Sequence, residues 1–323
     1  MALAIAGCVQ SMDAQSDPAN QISVSELEGV DSIPKVVAPS QTPSSQPNLD
    51  LADYKNTPVL FKPYSDGMPF VRSQPKGVAP FPIELSAAVK HYVDAYMAQP
   101  QGLEESFRRC RPYMAEMVQV MRQEGLPDDL IYLSFAESAF SDTGDGPWQL
   151  SKETARRFGL VINQWLDERR DPIKSTRAAA EYLAMLHDEA GADWRMTLVA
   201  WNNGDARLNH YLRLSADGYA RLMQKLPERT RALMNRFMAV DVIARNADQY
   251  GINTIGFYEA PQYRLMDVKG GVLLSQVAVE VKTSVEALRE ANPALLQDRI
   301  PPNVETYQIR IPDPELASAL SEL

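Results

Sequence analysis

The chain has 323 residues, of which 45% are hydrophobic, so it can form about two domains with sizeable cores. Its formal net charge of -10 leaves no basic surplus to neutralise phosphates, which excludes a general nucleic-acid binder. Two cysteines and three histidines, without paired-cysteine spacing, argue against a disulfide framework and a structural zinc site, and we expect no metal or other cofactor.

The first eight residues, MALAIAGC, form a short apolar run that ends at Cys8. This run resembles the lipobox of bacterial lipoproteins, in which the cysteine is acylated, although the basic part and most of the apolar part of a signal peptide are missing. A chance apolar N-terminus is the alternative. We predict a partial signal over residues 1–8, lipidation at Cys8, and a membrane partner through the lipid anchor.

Residues 9–80 are rich in Ser, Pro, Gln and Asp and show no sustained hydrophobic periodicity. Such a segment buries too little apolar surface to offset the entropy lost on ordering. We therefore predict a disordered tether between the N-terminal cysteine and the first folded domain.

Helical patterns begin near Ile83 and continue through a predicted domain at residues 81–256. Apolar residues recur at three- and four-residue spacing, and the clearest helix has Asp171 as its cap, Pro172 in its first position and Gly191 at its end. The predicted helices lie at residues 83–97, 113–125, 130–140, 171–191, 193–204 and 227–246.

The pattern changes at residues 257–314. QYRLMDV and ETYQIRIP alternate as strands do, and the segment between them has helix-length apolar spacing. We predict a small α+β module with its own core, the alternative being an extension of the main domain, and a short tail at residues 315–323.

Glu137 is an acidic residue on the apolar face of the predicted helix at residues 130–140, where the hydrophobic pattern does not explain a charge. It shares one face of its predicted helix with Leu130, Leu133 and Phe140. A solvated glutamate at the edge of an apolar stripe is the ordinary interpretation of such a residue.

Several blocks of the helical region occur in an order that resembles the catalytic domain of the soluble-lytic-transglycosylase family, and most closely its membrane-bound lytic murein transglycosylase D branch. They are GLPDDLIYLSFAESAF, PWQLSKETARRFGL, WLDERRDPIKSTRAAAEYLAML and LVAWNNGDARL. The following module, with ANPAL and YQIRIP, resembles a LysM-type glycan-binding repeat.

The resemblance implies a mainly α fold, namely a goose-lysozyme-like helical domain followed by the LysM-like α+β module. It implies cleavage of the MurNAc–GlcNAc β-1,4 bond of peptidoglycan without water, which leaves a 1,6-anhydro-MurNAc end. The expected partner is therefore the peptidoglycan glycan strand. The expected location is the periplasmic face of the bacterial cell envelope, with anchoring to the outer membrane.

The family's Glu-Ser motif falls on Glu137, which the resemblance makes the single general acid and then base. That role needs a carboxyl that is protonated at neutral pH, and burial against Leu133 and Phe140 would raise the pKa of Glu137 accordingly. The substrate-binding residues implied by the family motifs are Ser138, Gly146, Trp148, Gln149, Trp201 and Asn202.

The chain departs from the family pattern near these residues. Only eleven positions separate Glu137 from Trp148 (148 − 137 = 11), fewer than is usual, and Pro147 replaces a plain apolar residue. The family's Ala-Tyr-Asn motif carries Trp201 in place of tyrosine, and an indole donates a hydrogen bond but accepts none. Trp201 is then a core residue, a platform for a sugar ring, or an N–H donor to Glu137.

A hydrolase would need a second carboxylate. Asp142 and Asp145 are the nearby candidates, and both lie in a Gly-rich turn where we expect solvated loop residues. Two functions stay open: an active lytic transglycosylase, favoured by Glu137 and Ser138, and a catalytically weak or inactive peptidoglycan-binding lipoprotein, favoured by the short loop.

Overall fold

The computed structural model describes residues 81–216, 218–252 and 263–312, which all belong to one compact unit of the chain. The predicted lipidation site Cys8, the tether at residues 9–80 and the tail at residues 315–323 lie outside the described residues. No helix within the described ranges has the length and apolar character needed to cross a membrane.

The described residues are mainly helical, with one two-stranded sheet near the C-terminus, as predicted. The elements are α1 (Ala87–Ala98), α2 (Gln101–Cys110), α3 (Met114–Gln123), α4 (Leu133–Ser138), α5 (Lys152–Arg157), α6 (Pro172–Glu189), α7 (Trp194–Asn203), α8 (Leu208–Ser215), α9 (Tyr219–Lys225), α10 (Glu228–Arg245), α11 (Ala247–Tyr250), β1 (Tyr263–Lys269), α12 (Leu274–Val281), α13 (Val285–Ala291) and β2 (Thr306–Pro312). Short 3-10 turns lie at Arg111–Tyr113, Asp128–Tyr132, Glu168–Arg170 and Asp205–Arg207.

Helix α10 forms the centre of the helical domain. It packs against α1, α4 and α7, and buries Leu233, Phe237 and Ile243 among their apolar side chains. Because α4 and α7 both lie on α10, their ends are held in a fixed relation to one another. These two helices carry Glu137 and Trp201.

The helix that bears Glu137 is shorter than the apolar pattern predicted. Helix α4 ends at Ser138, and both Ala139 and Phe140 have left-handed backbone, with φ of 54° and 55°. Phe140 is therefore not on a helical face with Glu137. The turn instead brings the Phe140 ring back to the Phe135 ring, with centroids 5.5 Å apart, so that Phe140 is buried by a chain reversal.

The C-terminal segment has the predicted β-α-α-β order. Strands β1 and β2 pair antiparallel, from Tyr263 opposite Pro312 to Lys269 opposite Thr306. The sheet and its two helices enclose a separate small core that includes Leu274, Ile300 and Ile309. These elements confirm an α+β module, while its LysM assignment and the exact domain boundaries stay predictions.

This module also contacts the helical domain. Leu166 forms a β-bridge with Leu295, and the backbone N–H of Leu296 donates to the carbonyl of Trp165 at 3.0 Å. Nearby, the buried Arg310 of β2 forms an ion pair with the carboxylate of Asp171, the residue that caps α6. The module thus has its own core and a partly polar interface with the helical domain.

Candidate active site

The Glu137 carboxyl and the Trp201 indole meet between the ends of α4 and α7. The Nε1–H of Trp201 donates to Oε1 of Glu137 at 2.7 Å. Trp201 is 9% exposed, and Glu137 is half-buried. Of the three roles open to Trp201, the structure thus shows the N–H donor, combined with packing in the core.

Burial raises the pKa of Glu137 from 4.5 to about 7. The Trp201 hydrogen bond and the positive charge of Arg236 act in the opposite direction, because both favour the carboxylate. Desolvation is the larger effect. A carboxyl whose pKa lies near neutral pH can both give and take a proton there.

Aromatic side chains surround Trp201 on its inner side. The Trp148 ring lies edge-on at 6.0 Å, and the Tyr182 ring is tilted at 5.4 Å. Trp148 is 1% exposed, and its Nε1–H donates to Oγ1 of Thr176 at 2.8 Å. Trp148 thus supports Trp201 from the core instead of facing solvent.

The shortened loop between Glu137 and Trp148 is fixed to α4 through Ser138. The Ser138 hydroxyl donates to the carbonyl of Pro147 at 2.9 Å and accepts the backbone N–H of Ser141 at 3.0 Å. Gln149 is exposed, has φ of 49°, and donates to the carbonyl of Gly146 at 2.7 Å. The loop is therefore tied at both ends.

Gly146 lies where this loop crosses the Glu168–Arg170 turn. Its φ is +76°, and a Cβ at this position would lie 1.9 Å from the carbonyl oxygen of Arg169. Only glycine allows such a close approach with this backbone conformation. The Gly146 of the recognised motif is thus a requirement of backbone packing.

The two aspartates of the loop differ in their surroundings. Asp142 is exposed, as expected. Asp145 is also largely exposed, but its Oδ1 lies 2.5 Å from Nη1 of Arg169, which is buried and also forms an ion pair with Asp167. Asp145 is therefore held by an ion pair and is not a fully solvated loop residue.

Asn202 lies beside Trp201 at the C-terminal end of α7. Its Oδ1 accepts a hydrogen bond from the Thr230 hydroxyl of α10 at 2.7 Å, and the side chain is half-buried. The neighbouring Asn203 is buried and donates to the same hydroxyl oxygen at 3.0 Å. Thr230 thus fixes the end of α7 on α10, which sets the orientation of both Asn202 and Trp201.

Two arginines near Glu137 were not among the residues predicted from the sequence. Nε of Arg236 on α10 donates to the carbonyl of Ala136 at 3.2 Å, and Arg109 on α2 donates to the carbonyls of Ala139 and Phe140. Both contacts join segments far apart in the chain, and arginine on a helix surface gives no signal of its own. Across the described residues, no cluster of His, Cys, Asp and Glu could hold a metal ion.

Comparison with known proteins finds similarity over the part of the chain that contains these residues. Residues 131–224 match the family model of the transglycosylase SLT domain, a range that contains all seven candidate residues from Glu137 to Asn202. The chain is 25% identical over 216 residues to the membrane-bound lytic murein transglycosylase D of Escherichia coli K12, and equally to that of E. coli O6:H1. The match covers 63% of this chain and 47% of each relative, so the chain spans about half the length of the curated relatives it matches. Residues 131–224 thus match a transglycosylase SLT domain, and the chain is similar to lytic murein transglycosylase D beyond that range.

Proposed function

We propose that the protein is a peptidoglycan lytic transglycosylase that cleaves the MurNAc–GlcNAc β-1,4 bond without water. The observation that carries the proposal is the half-buried Glu137 carboxyl, whose pKa is raised to about 7 while Trp201 holds one of its oxygens. A carboxyl with this pKa suits a residue that must act first as an acid and then as a base at neutral pH.

In the proposed reaction, protonated Glu137 gives its proton to the glycosidic oxygen. The bond from that oxygen to C1 of MurNAc breaks, and the oxygen leaves as the 4-hydroxyl of GlcNAc. The Glu137 carboxylate then takes the proton of the MurNAc 6-hydroxyl as its oxygen bonds to C1. The products are a free GlcNAc end and a 1,6-anhydro-MurNAc end, and Glu137 regains its proton.

The electrostatic surroundings of Glu137 support this route over hydrolysis. A hydrolase of either stereochemistry uses a second carboxylate within about 10 Å of the first. The two side chains that act on the pKa of Glu137, Trp201 and Arg236, both favour its carboxylate, and neither is an acid that could serve as a second catalytic carboxylate. Asp145 is paired with Arg169.

The hydrogen bond from Trp201 also supports activity over an inactive scaffold. An indole N–H orients the Glu137 carboxyl and stabilises its anion in the base step, although it cannot accept a proton from the carboxyl. The short loop from Ser138 to Pro147 favours the second candidate, a catalytically weak or inactive peptidoglycan-binding lipoprotein. In that case the same residues would bind glycan without cleaving it.

We assign the other motif residues to two roles. Gln149 and Asn202, which are exposed or half-buried, would bind the sugar, whereas Ser138, Gly146 and Trp148 would position the loop and Trp201. The module at 257–314 would add a LysM-like glycan contact. We further propose that the protein binds peptidoglycan glycan strands and that a lipid anchor holds it in the bacterial cell envelope.

Digestion of purified peptidoglycan sacculi, followed by mass spectrometry of the fragments, tests the function. The wild-type protein should release anhydro-MurNAc ends, and Glu137→Gln should release none, because the amide cannot donate a proton to the glycosidic oxygen. Asp142→Asn, which removes an exposed carboxyl of the same loop, is the matched control and should keep activity. Reducing MurNAc ends instead of anhydro ends would show hydrolysis, and binding without any fragment would favour the inactive scaffold.

A further inference from the structure

The backbone just after Glu137 is held in an unfavourable conformation. Ala139 and Phe140 both have φ near 55°, a region that costs a non-glycine residue about 1 kcal/mol or more. Gln149, at the other end of the same loop, is a third such residue, with φ of 49°. Strain of this kind persists only where neighbouring groups hold it.

Arg109 of α2 is the group that holds this turn. Its Nη2 donates to the carbonyl of Ala139 at 2.6 Å, and its Nε donates to the carbonyl of Phe140 at 3.1 Å. The guanidinium is itself oriented by Glu105, whose Oε1 accepts from Nη1 at 3.1 Å. A planar fork can reach both carbonyls at once, whereas a lysine ammonium is a single point of charge.

A second arginine acts on the other side of the acid. Nε of Arg236 donates to the carbonyl of Ala136, the residue before Glu137. Carbonyl groups at the end of a helix lack partners within it, and cations there satisfy them favourably. The backbone on both sides of Glu137 is thus held by arginines from α2 and α10.

We propose that Arg109 is a positioning residue for the reaction: by holding the left-handed turn at Ala139–Phe140, it fixes the direction of the Glu137 carboxyl toward the glycosidic oxygen. Arg109 acts through this backbone and not through the substrate. The inference rests on the proposed function, since that function makes Glu137 the acid. A displacement of about 1 Å at such a group can cost about 100-fold in rate.

Arg109→Ala and Arg108→Ala form a matched pair for the test. Both arginines form an ion pair with Glu105, Arg108 at 2.7 Å and Arg109 at 3.1 Å, but Arg108 is exposed and does not bond the turn. We expect Arg109→Ala to lower kcat for anhydro-end release by about 10- to 100-fold, with KM within about twofold of wild type. Arg108→Ala should match wild type, and Arg109→Lys should recover only part of the loss.

Glycine at position 139 separates positioning from general destabilisation. Because glycine adopts positive φ without strain, Ala139→Gly should make the turn less dependent on Arg109. We expect the double variant Arg109→Ala, Ala139→Gly to recover kcat relative to Arg109→Ala alone. Because Ala139→Gly also relieves the backbone strain and so adds stability, kcat of each variant is measured under conditions where denaturant unfolding shows that variant to be fully folded, and a recovery of kcat there reports positioning and not stability.

A titration that needs no turnover completes the test. The Glu137 side-chain carboxyl can be followed by carbon-13 NMR against pH, and loss of the Trp201 contact should raise its pKa in Arg109→Ala but not in Arg108→Ala. If kcat and this titration are the same for the two arginine variants, the inference is overturned even though the enzyme works. If wild-type protein releases no fragments, the proposed function fails, and the titration alone decides whether Arg109 positions Glu137.

Discussion

At the scale of single residues, the pKa of Glu137 predicts how activity depends on pH. The first step of the proposed reaction needs the protonated Glu137 carboxyl, whose pKa burial raises to about 7. We expect kcat/KM for sacculus cleavage to fall as pH rises through about 7, because this parameter reports the free enzyme.

Trp201→Phe should move the fall in kcat/KM to higher pH. The indole N–H lowers the pKa of Glu137, so its removal should raise that pKa, and the carboxyl should then stay protonated to a higher pH. The control is Trp194→Phe, which loses an indole that stacks on His187 at 3.6 Å, in a contact that does not involve Glu137. A Trp201→Phe profile that moves to lower pH, or a Trp194→Phe profile that moves as far, would contradict this account.

The sequence pointed to Glu137 and to only part of its surroundings. The role of Glu137 as the acid was implied by the family resemblance and stays a prediction, and the donor-only chemistry of indole anticipated the Trp201 contact. The apolar stripe wrongly placed Phe140 on the helical face of Glu137. No local sequence pattern predicts two consecutive left-handed residues that are not glycine. Arg109 and Arg236 could not be found, since they contact the backbone around Glu137 from 30 and 100 positions away along the chain.

At the scale of elements, helix ends were predictable wherever a capping side chain acts locally. Asp171 accepts the N–H groups of Ile173 and Lys174 at the start of α6, as its position before Pro172 predicted. Helix α2 was not predicted, because its sequence QGLEESFRRC has few apolar residues. Its buried face is nevertheless formed by Leu103, Phe107 and Cys110, and only tertiary packing makes those three sufficient.

The loop after α4 gives a prediction that compares two glycines. Gly146→Ala places a Cβ 1.9 Å from the Arg169 carbonyl oxygen, so the loop must move away from the Glu168–Arg170 turn. Gly144→Ala, also at positive φ (+56°), meets nothing within 4 Å and is the matched control for backbone strain.

We expect Gly146→Ala to lower the free energy of unfolding by about 3 kcal/mol or more, against about 1 kcal/mol for Gly144→Ala. Cleavage should fall more for Gly146→Ala as well, because the displaced loop includes the Pro147 carbonyl that Ser138 holds. Denaturant unfolding of both variants, with sacculus digestion beside it, measures the difference. Equal losses in the two glycine variants would mean that the close contact at Gly146 does not fix the loop.

At the scale of the whole molecule, buried ionic groups join distant parts of the chain. Arg245 of α10 bonds both Asp241 and Asp129, and Oδ2 of Asp129 accepts the backbone N–H of Phe81 at 3.3 Å. Burial raises the pKa of Asp241, and the neighbouring Asp129 charge raises it further. This cluster fixes the first described residue of the domain to its last long helix.

A second buried ion pair joins the C-terminal module to the helical domain. The sequence predicted the β-α-α-β module from its own periodicity, but its contacts depend on surfaces that no local pattern reveals. Arg310 binds Asp171 at one end of this interface, and the Tyr307 hydroxyl donates to Glu168 at 3.0 Å. Glu168 belongs to the Glu168–Arg170 turn, against which Gly146 packs. The module therefore contacts the turn that itself contacts the loop after Glu137.

Arg310→Ala should therefore affect stability and cleavage together. It leaves the buried Asp171 carboxylate without its ion-pair partner on β2, which typically costs about 3–5 kcal/mol. The matched control is Arg289→Ala, which breaks the exposed pair with Asp298 in the same module and should cost far less, because solvent screens that pair. We expect denaturant unfolding to show the larger loss for Arg310→Ala, and sacculus digestion to show a lower rate, because the Glu168–Arg170 turn loses its support. If the two arginine variants unfold and cleave alike, the module is an independent attachment and not part of the frame of the active site.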